Sequence, residues 1–218
     1  MRTIIHRHNH GGAPESPGFT IVELMIATLV FATILSVITA GVISFSSRYY
    51  RGVNASETQN TAQTALDTIT QAIQFGTGTV TTAGLTDGYF CAGGLNFTFA
   101  KGVKYMATGQ KGLYVSPDGG TCSGAQTTGG RQLLAKNMRI TNLAVSPTGS
   151  SGLYSVELTI AYGDNDLLCN AAVYGDCTGS TLHTDADLAN MPNVTCRSGA
   201  GSQFCAASRL TTTVQKRV

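Results

Sequence analysis

The chain begins polar and turns apolar abruptly at Phe19. The run FTIVELMIATLVFATILSVITAGVISFSS follows, and no charged residue lies between Glu23 and Arg48. About 20 apolar residues suffice for a helix to cross a bilayer core, so this run predicts a membrane-spanning helix. Its Ser and Thr hydroxyls can bond back to helix carbonyls and do not disqualify it. The helical period continues beyond the apolar run. Ala62, Leu66, Ile69 and Ile73 fall at i, i+4, i+7 and i+11, which is one face. No Pro occurs between Phe19 and Gly76, and Gly76 is a natural C-cap. The pattern predicts one long helix from about Phe19 to about Phe75, apolar all round at first and amphipathic afterwards.

After Gly76 the period changes. Short apolar runs alternate with Gly-, Thr- and Ser-rich stretches. Strands are predicted at Gly88–Phe90, Leu95–Phe99, Val103–Ala107, Gly112–Val115, Arg131–Leu134, Met138–Val145, Tyr154–Tyr162 and Leu210–Gln215. SVELTIAY alternates in period 2, as a half-buried antiparallel strand does. Ser146-Pro147-Thr148-Gly149 has the composition of a hairpin turn. Asp164–Cys205 shows no such period and is predicted to be a long irregular insertion before the last strand. The fold class is α+β: a long N-terminal helix, transmembrane in its first half, packed against an antiparallel β-sheet. The chain divides into 1–18, a polar leader; 19–47, the apolar helix; 48–76, its amphipathic continuation; and 77–218, a soluble β-rich domain.

Composition sharpens this picture. Charged residues make up 12% of 218, about half the usual share, and the formal net charge is +2. Such a balance argues against charge-driven disorder and against a strongly basic nucleic-acid binder. Arg2 and Arg7 before the apolar run face Arg48 and Arg51 after it, so flanking charge leaves orientation balanced. Six cysteines, Cys91, Cys122, Cys169, Cys177, Cys196 and Cys205, all lie in the soluble part. An even number in an exported domain indicates disulfides, with 15 possible connectivities. Pairing neighbours in sequence gives Cys91–Cys122, Cys169–Cys177 and Cys196–Cys205. No CxxC spacing supports a metal site, and free buried thiols are the remaining alternative in a reducing compartment.

A cleaved secretory signal is the plain alternative for the apolar run, with Ile38-Thr39-Ala40-Gly41 as a possible cleavage stretch. The run exceeds the about 7–15 residues of a signal core. Glu23 also stands inside it, where an ionised carboxylate costs several kcal/mol unless partnered. Gly18-Phe19-Thr20-Ile21-Val22-Glu23-Leu24 resembles the cleavage and methylation motif of type IV prepilins and type II secretion pseudopilins. The likeness lies in a short charged leader, Gly directly before an aromatic residue, Glu five residues after that Gly, and an unbroken apolar helix. ALDTITQAIQFG also resembles the helix end of W-type minor pilins and J-type minor pseudopilins.

The resemblance implies a pilin-like fold and a specific processing route. Gly18 is then the last leader residue, cut by an aspartyl prepilin peptidase at the cytoplasmic face. Phe19 becomes the N-methylated mature N-terminus. Glu23 meets the Phe19 ammonium of a neighbouring subunit during assembly. The same need follows from charge alone, because a buried carboxylate wants a cation and cleavage creates one nearby. The implied partners are other pilin subunits, the peptidase/methylase and an assembly platform in the cytoplasmic membrane. The implied product is an extracellular pilus for adhesion, motility or DNA uptake, or a periplasmic pseudopilus of a type II secretion system. A plain membrane-anchored binding domain is the third reading.

Other chemistry is thin. Outside the leader's His6, His8 and His10 the one histidine is His183, and no G-x-S-x-G occurs, so catalysis is not expected. No cofactor is implied. Asp164, Asn165, Asp166, Asp185 and Asp187 offer oxygens of the kind calcium takes, against ordinary turn chemistry. They lack the EF-hand Gly and a third spaced carboxylate, so no metal is expected. Lys101, Lys104, Tyr105 and Lys111 form a small basic-aromatic stretch that could touch DNA in an uptake pilus, against a solvated hairpin.

Overall fold

The computed structural model describes residues 18–106, 112–120, 122–126, 128–149, 152–173, 175–179, 182–189 and 191–217. Helix α1 spans Ile21–Phe75, 55 residues without a break. Phe19 and Thr20, expected in the helix, precede it. The chain divides into two units, up to Phe45 and from Ser46 onward. In the first, every described residue is exposed, and an 18-residue window of α1 reaches a mean hydropathy of 2.5. This helix is long and apolar enough to cross a membrane.

In the second unit α1 buries Thr58, Ala62, Ala65, Leu66, Ile69, Ala72 and Ile73, the face that the i, i+4, i+7 spacing marks. Two antiparallel sheets receive it. One has the order β1 (Tyr89–Ala92), β2 (Leu95–Phe99), β3 (Leu113–Pro117) and β4 (Arg131–Gln132). The other has the order β5 (Met138–Pro147), β6 (Leu153–Tyr162) and β9 (Ala206–Gln215). One core joins the helix to Phe90 and Phe97 of the first sheet and to Ile140, Leu143, Val156, Leu158 and Ile160 of the second. The Phe90 and Phe97 rings stack at 4.7 Å. The second unit is therefore α+β: the C-terminal part of the long helix α1 packs on antiparallel sheet.

The end of α1 is closed by backbone proximity. Gly76 N–H donates to Ala72 O, and Gly93 approaches the same carbonyl at φ +61. A Cβ on either glycine would overlap the other's backbone. Arg217 N–H donates to Gln74 O, and its guanidinium lies 5.6 Å from the Phe75 ring centre. The helix has no basic residue in its own last turn, so this distant cation serves the negative end of its dipole.

Three expectations need correction. Residues 103–106 form no strand; Ala107 lies outside the described residues. Gly102, at φ +76, turns the chain, and Tyr105 then exchanges single backbone bonds with Met138 and Asn137. Ser146 and Pro147 belong to β5, and the hairpin loop starts at Thr148, whose N–H donates to Leu153 O. Pro147 is tolerated because β5 is an edge strand.

The third correction is the largest. Asp164–Cys205 is not irregular throughout. It contains β7 (Leu168–Asn170) paired antiparallel with β8 (Val194–Cys196), a five-residue helix α2 (Asp185–Ala189), and a 3-10 turn at Ser202–Phe204. Leu168, Leu188, Met191, Val194 and Cys205 form a second small core with Ala161 of β6. Period-2 reasoning misses it because three-residue strands are too short to show a period.

Candidate functional site

The residues singled out by the prepilin resemblance occupy the start of α1. Among the described residues none beyond its chain neighbour comes within 4 Å of the position a Cβ on Gly18 would take, and Phe19 is 88% exposed. Thr20 is the N-cap and Glu23 the third helical residue. Thr20 N–H and Oγ1–H donate to Glu23 Oε2, both at 2.9 Å, and Glu23 N–H donates to Thr20 Oγ1 at 3.2 Å. This is a capping box, in which two otherwise orphaned helix donors are satisfied reciprocally. The T-x-x-E spacing announces it in the sequence, and it assigns Glu23 a local partner besides any incoming cation. Farther along, Thr28, Thr33 and Thr39 donate to Met25 O, Val30 O and Leu35 O at 3.0, 2.8 and 2.7 Å. These three hydroxyls are thus satisfied within the helix.

All six cysteines are paired as Cys91–Cys122, Cys169–Cys177 and Cys196–Cys205. The first ties β1 to the loop after β3. That loop is also held by Asn96, buried in β2, whose Nδ2–H donates to Gly124 O at 2.9 Å. The other two close the ends of the 164–205 insertion.

The candidate calcium oxygens are turned to another cation. Arg139, on β5, is completely buried. Its Nη1 donates to Gly102 O at 3.0 Å, Asn165 Oδ1 at 2.6 Å and Asp185 Oδ1 at 3.2 Å; Nη2 donates to Gly163 O at 2.9 Å. Burial pulls the Arg139 pKa down, while the charges of Asp185 and Asp164 pull it up. Asp164 pairs with Lys104. Asp187 accepts from Thr184 N–H at 2.8 Å in a second capping box, which holds its carboxyl below the usual range. The structure therefore brings Asn165 and Asp185 together around a guanidinium and places Asp187 elsewhere. One Arg in a strand announces neither its burial nor its partners, so the sequence carries no signal for Arg139.

The basic-aromatic stretch is also dispersed. Lys104 is neutralised by Asp164, Lys101 forms a backbone bridge with Ile140, and Lys111 lies outside the described residues. His183 is nearly buried and faces both oxygens of Asp176, at 3.0 and 3.1 Å. Asp176 also accepts from Asn170 N–H at 2.6 Å, and that bond is the main cause of its lowered pKa.

No family model, curated protein or solved structure matches this chain.

Proposed function

We propose that this chain is a minor subunit of a type IV pilus, cut between Gly18 and Phe19, methylated on Phe19 and assembled through its N-terminal helix. The observation that carries the reading is the start of α1. The Gly18-Phe19 junction leads into an apolar helix with one carboxylate, Glu23, in its first turn and no further charge before Arg48. Glycine lets an extended backbone enter a protease cleft without a side chain in the way. Cleavage creates an ammonium group on Phe19. Thr20 satisfies Glu23 Oε2 by hydrogen bonds but leaves the carboxylate's charge unneutralised, and in hydrocarbon that charge needs a cation. The Phe19 ammonium of the adjacent subunit supplies it. The helix forms the fibre's apolar core, and the disulfide-bonded domain faces outward.

Co-expression with a prepilin peptidase, followed by intact-mass spectrometry, tests the cut. The expected product lacks residues 1–18 and carries one added methyl group. Glu23→Ala should still insert and be cut, yet be lost from sheared fibres. A mature N-terminus elsewhere, or Glu23→Ala present in fibres at the wild-type level, overturns the reading.

A further inference from the structure

Sheet edges are templates for pairing with another chain, and folded proteins usually blunt them. Three of the four edges of the two larger sheets are blunted here. Thr81 covers β1 by exchanging both backbone bonds with Cys91. The β4 edge is only two residues long. Along β5, Gly102 N–H and Tyr105 N–H donate to Ile140 O and Met138 O, a bulge interrupts the register near Ile140, and Pro147 ends the strand. The fourth edge, β9, has none of these devices. It pairs with β6 over ten consecutive residues without a register shift. Among the described residues no backbone hydrogen bond reaches its outer side. Among the described residues the insertion's side-chain hydrogen bond to this strand falls near its start, where Arg209 donates to Asn193 Oδ1 at 2.7 Å. Leu210–Gln215, LTTTVQ, contains no charge, Pro or Gly and is rich in β-branched residues.

We propose that this edge pairs antiparallel with the same edge of a second copy, about a twofold axis through Thr212. Twofold pairing is self-complementary, so one strand must suit itself. This register sets Leu210 opposite Val214 twice, extending the apolar core face from one copy to the next. It sets Thr211 opposite Thr213 twice on the exposed face. Arg209 falls opposite Gln215 and is already paired with Glu157 within its own copy, at 3.1 Å. No like charges meet. A register centred on Thr213 would instead bring Arg209 opposite Arg217, which disfavours it. The inference does not rest on the fibre reading. Seven residues a side make a small interface, so association is weak and concentration-dependent.

The test uses the full chain in detergent micelles with Thr212→Cys. Two copies of residue 212 then face each other at a Cα separation of about 4.5–5.5 Å, within disulfide reach. Thr211→Cys places its two copies diagonally, about 7–8 Å apart, which is too far. The expected result under mild oxidation is a covalent dimer for Thr212→Cys and at least tenfold less for Thr211→Cys. Adding T211K and T213K to Thr212→Cys should abolish the dimer by setting Lys opposite Lys. Adding T211K and T213E should restore it. Circular dichroism confirms that each variant is folded. Equal cross-linking at 211 and 212, which helix-driven clustering would give, overturns the proposal. So does cross-linking indifferent to the Lys pair, or a monomer throughout, the outcome if the edge serves a different protein's strand.

Discussion

The Arg139 clamp makes the most demanding energetic prediction. Arg139→Met keeps most of the side-chain volume and removes the guanidinium. Gly102 and Gly163 are buried, and each loses the donor to its carbonyl. An unsatisfied buried acceptor costs about 1–3 kcal/mol, so the pair costs about 2–6. Two effects reduce this. The variant no longer pays to desolvate a guanidinium, and it removes Nε, which is buried without a partner in the native protein. The carboxylate left behind adds little, because the Asp185 side chain is 51% exposed and returns to water. The net expectation is a loss of about 2–4 kcal/mol. Asp185→Asn keeps an acceptor and loses only a half-solvated charge, so it should cost under about 1 kcal/mol. Urea denaturation of the oxidised full chain in detergent, followed by circular dichroism, measures both. If Asp185→Asn costs as much as Arg139→Met, charge pairing rather than carbonyl satisfaction holds the insertion. A neutral Arg139→Met would show that the clamp contributes no net stability.

Asp176 is held below its ordinary pKa chiefly by the Asn170 N–H. A carboxyl depressed on folding stabilises above its unfolded pKa, near 4, and that contribution is lost as pH falls toward the folded value. Asp176→Asn should therefore flatten the decline in unfolding midpoint below about pH 4; an unchanged acid limb would exclude this role. Gly93→Ala should cost about 2 kcal/mol or more, from positive φ and from overlap with the Ala72 carbonyl and Gly76. Thermal unfolding would detect it, and a wild-type midpoint would mean that the end of α1 and the β1–β2 turn separate readily.

The features legible in the sequence are local ones. The apolar run, the helical face of Ala62, Leu66, Ile69 and Ile73, and most strands of the two larger sheets follow from residues a few positions apart. The cysteines pair with their neighbours in sequence, at separations of 31, 8 and 9 residues. The T-x-x-E capping box at Thr20 and Glu23 was equally local. The Asp164–Cys205 insertion lay outside this reach. Its strands are too short for periodicity, and disulfides and one small core supply the order that pattern does not reveal.

By itself, the sequence determined that a helix without charge from Leu24 to Ser47 leads into a β-rich domain, because 3.6- and 2-residue periods mark which side of each element avoids water. The tertiary structure decided which elements meet. It placed β9 beside β6 across the whole insertion and brought Arg217 to the end of α1. It also gathered Gly102, Gly163, Asn165 and Asp185 around Arg139. A period states that a face must be buried but not against what, and a buried charge acquires its partners only when distant segments converge on it.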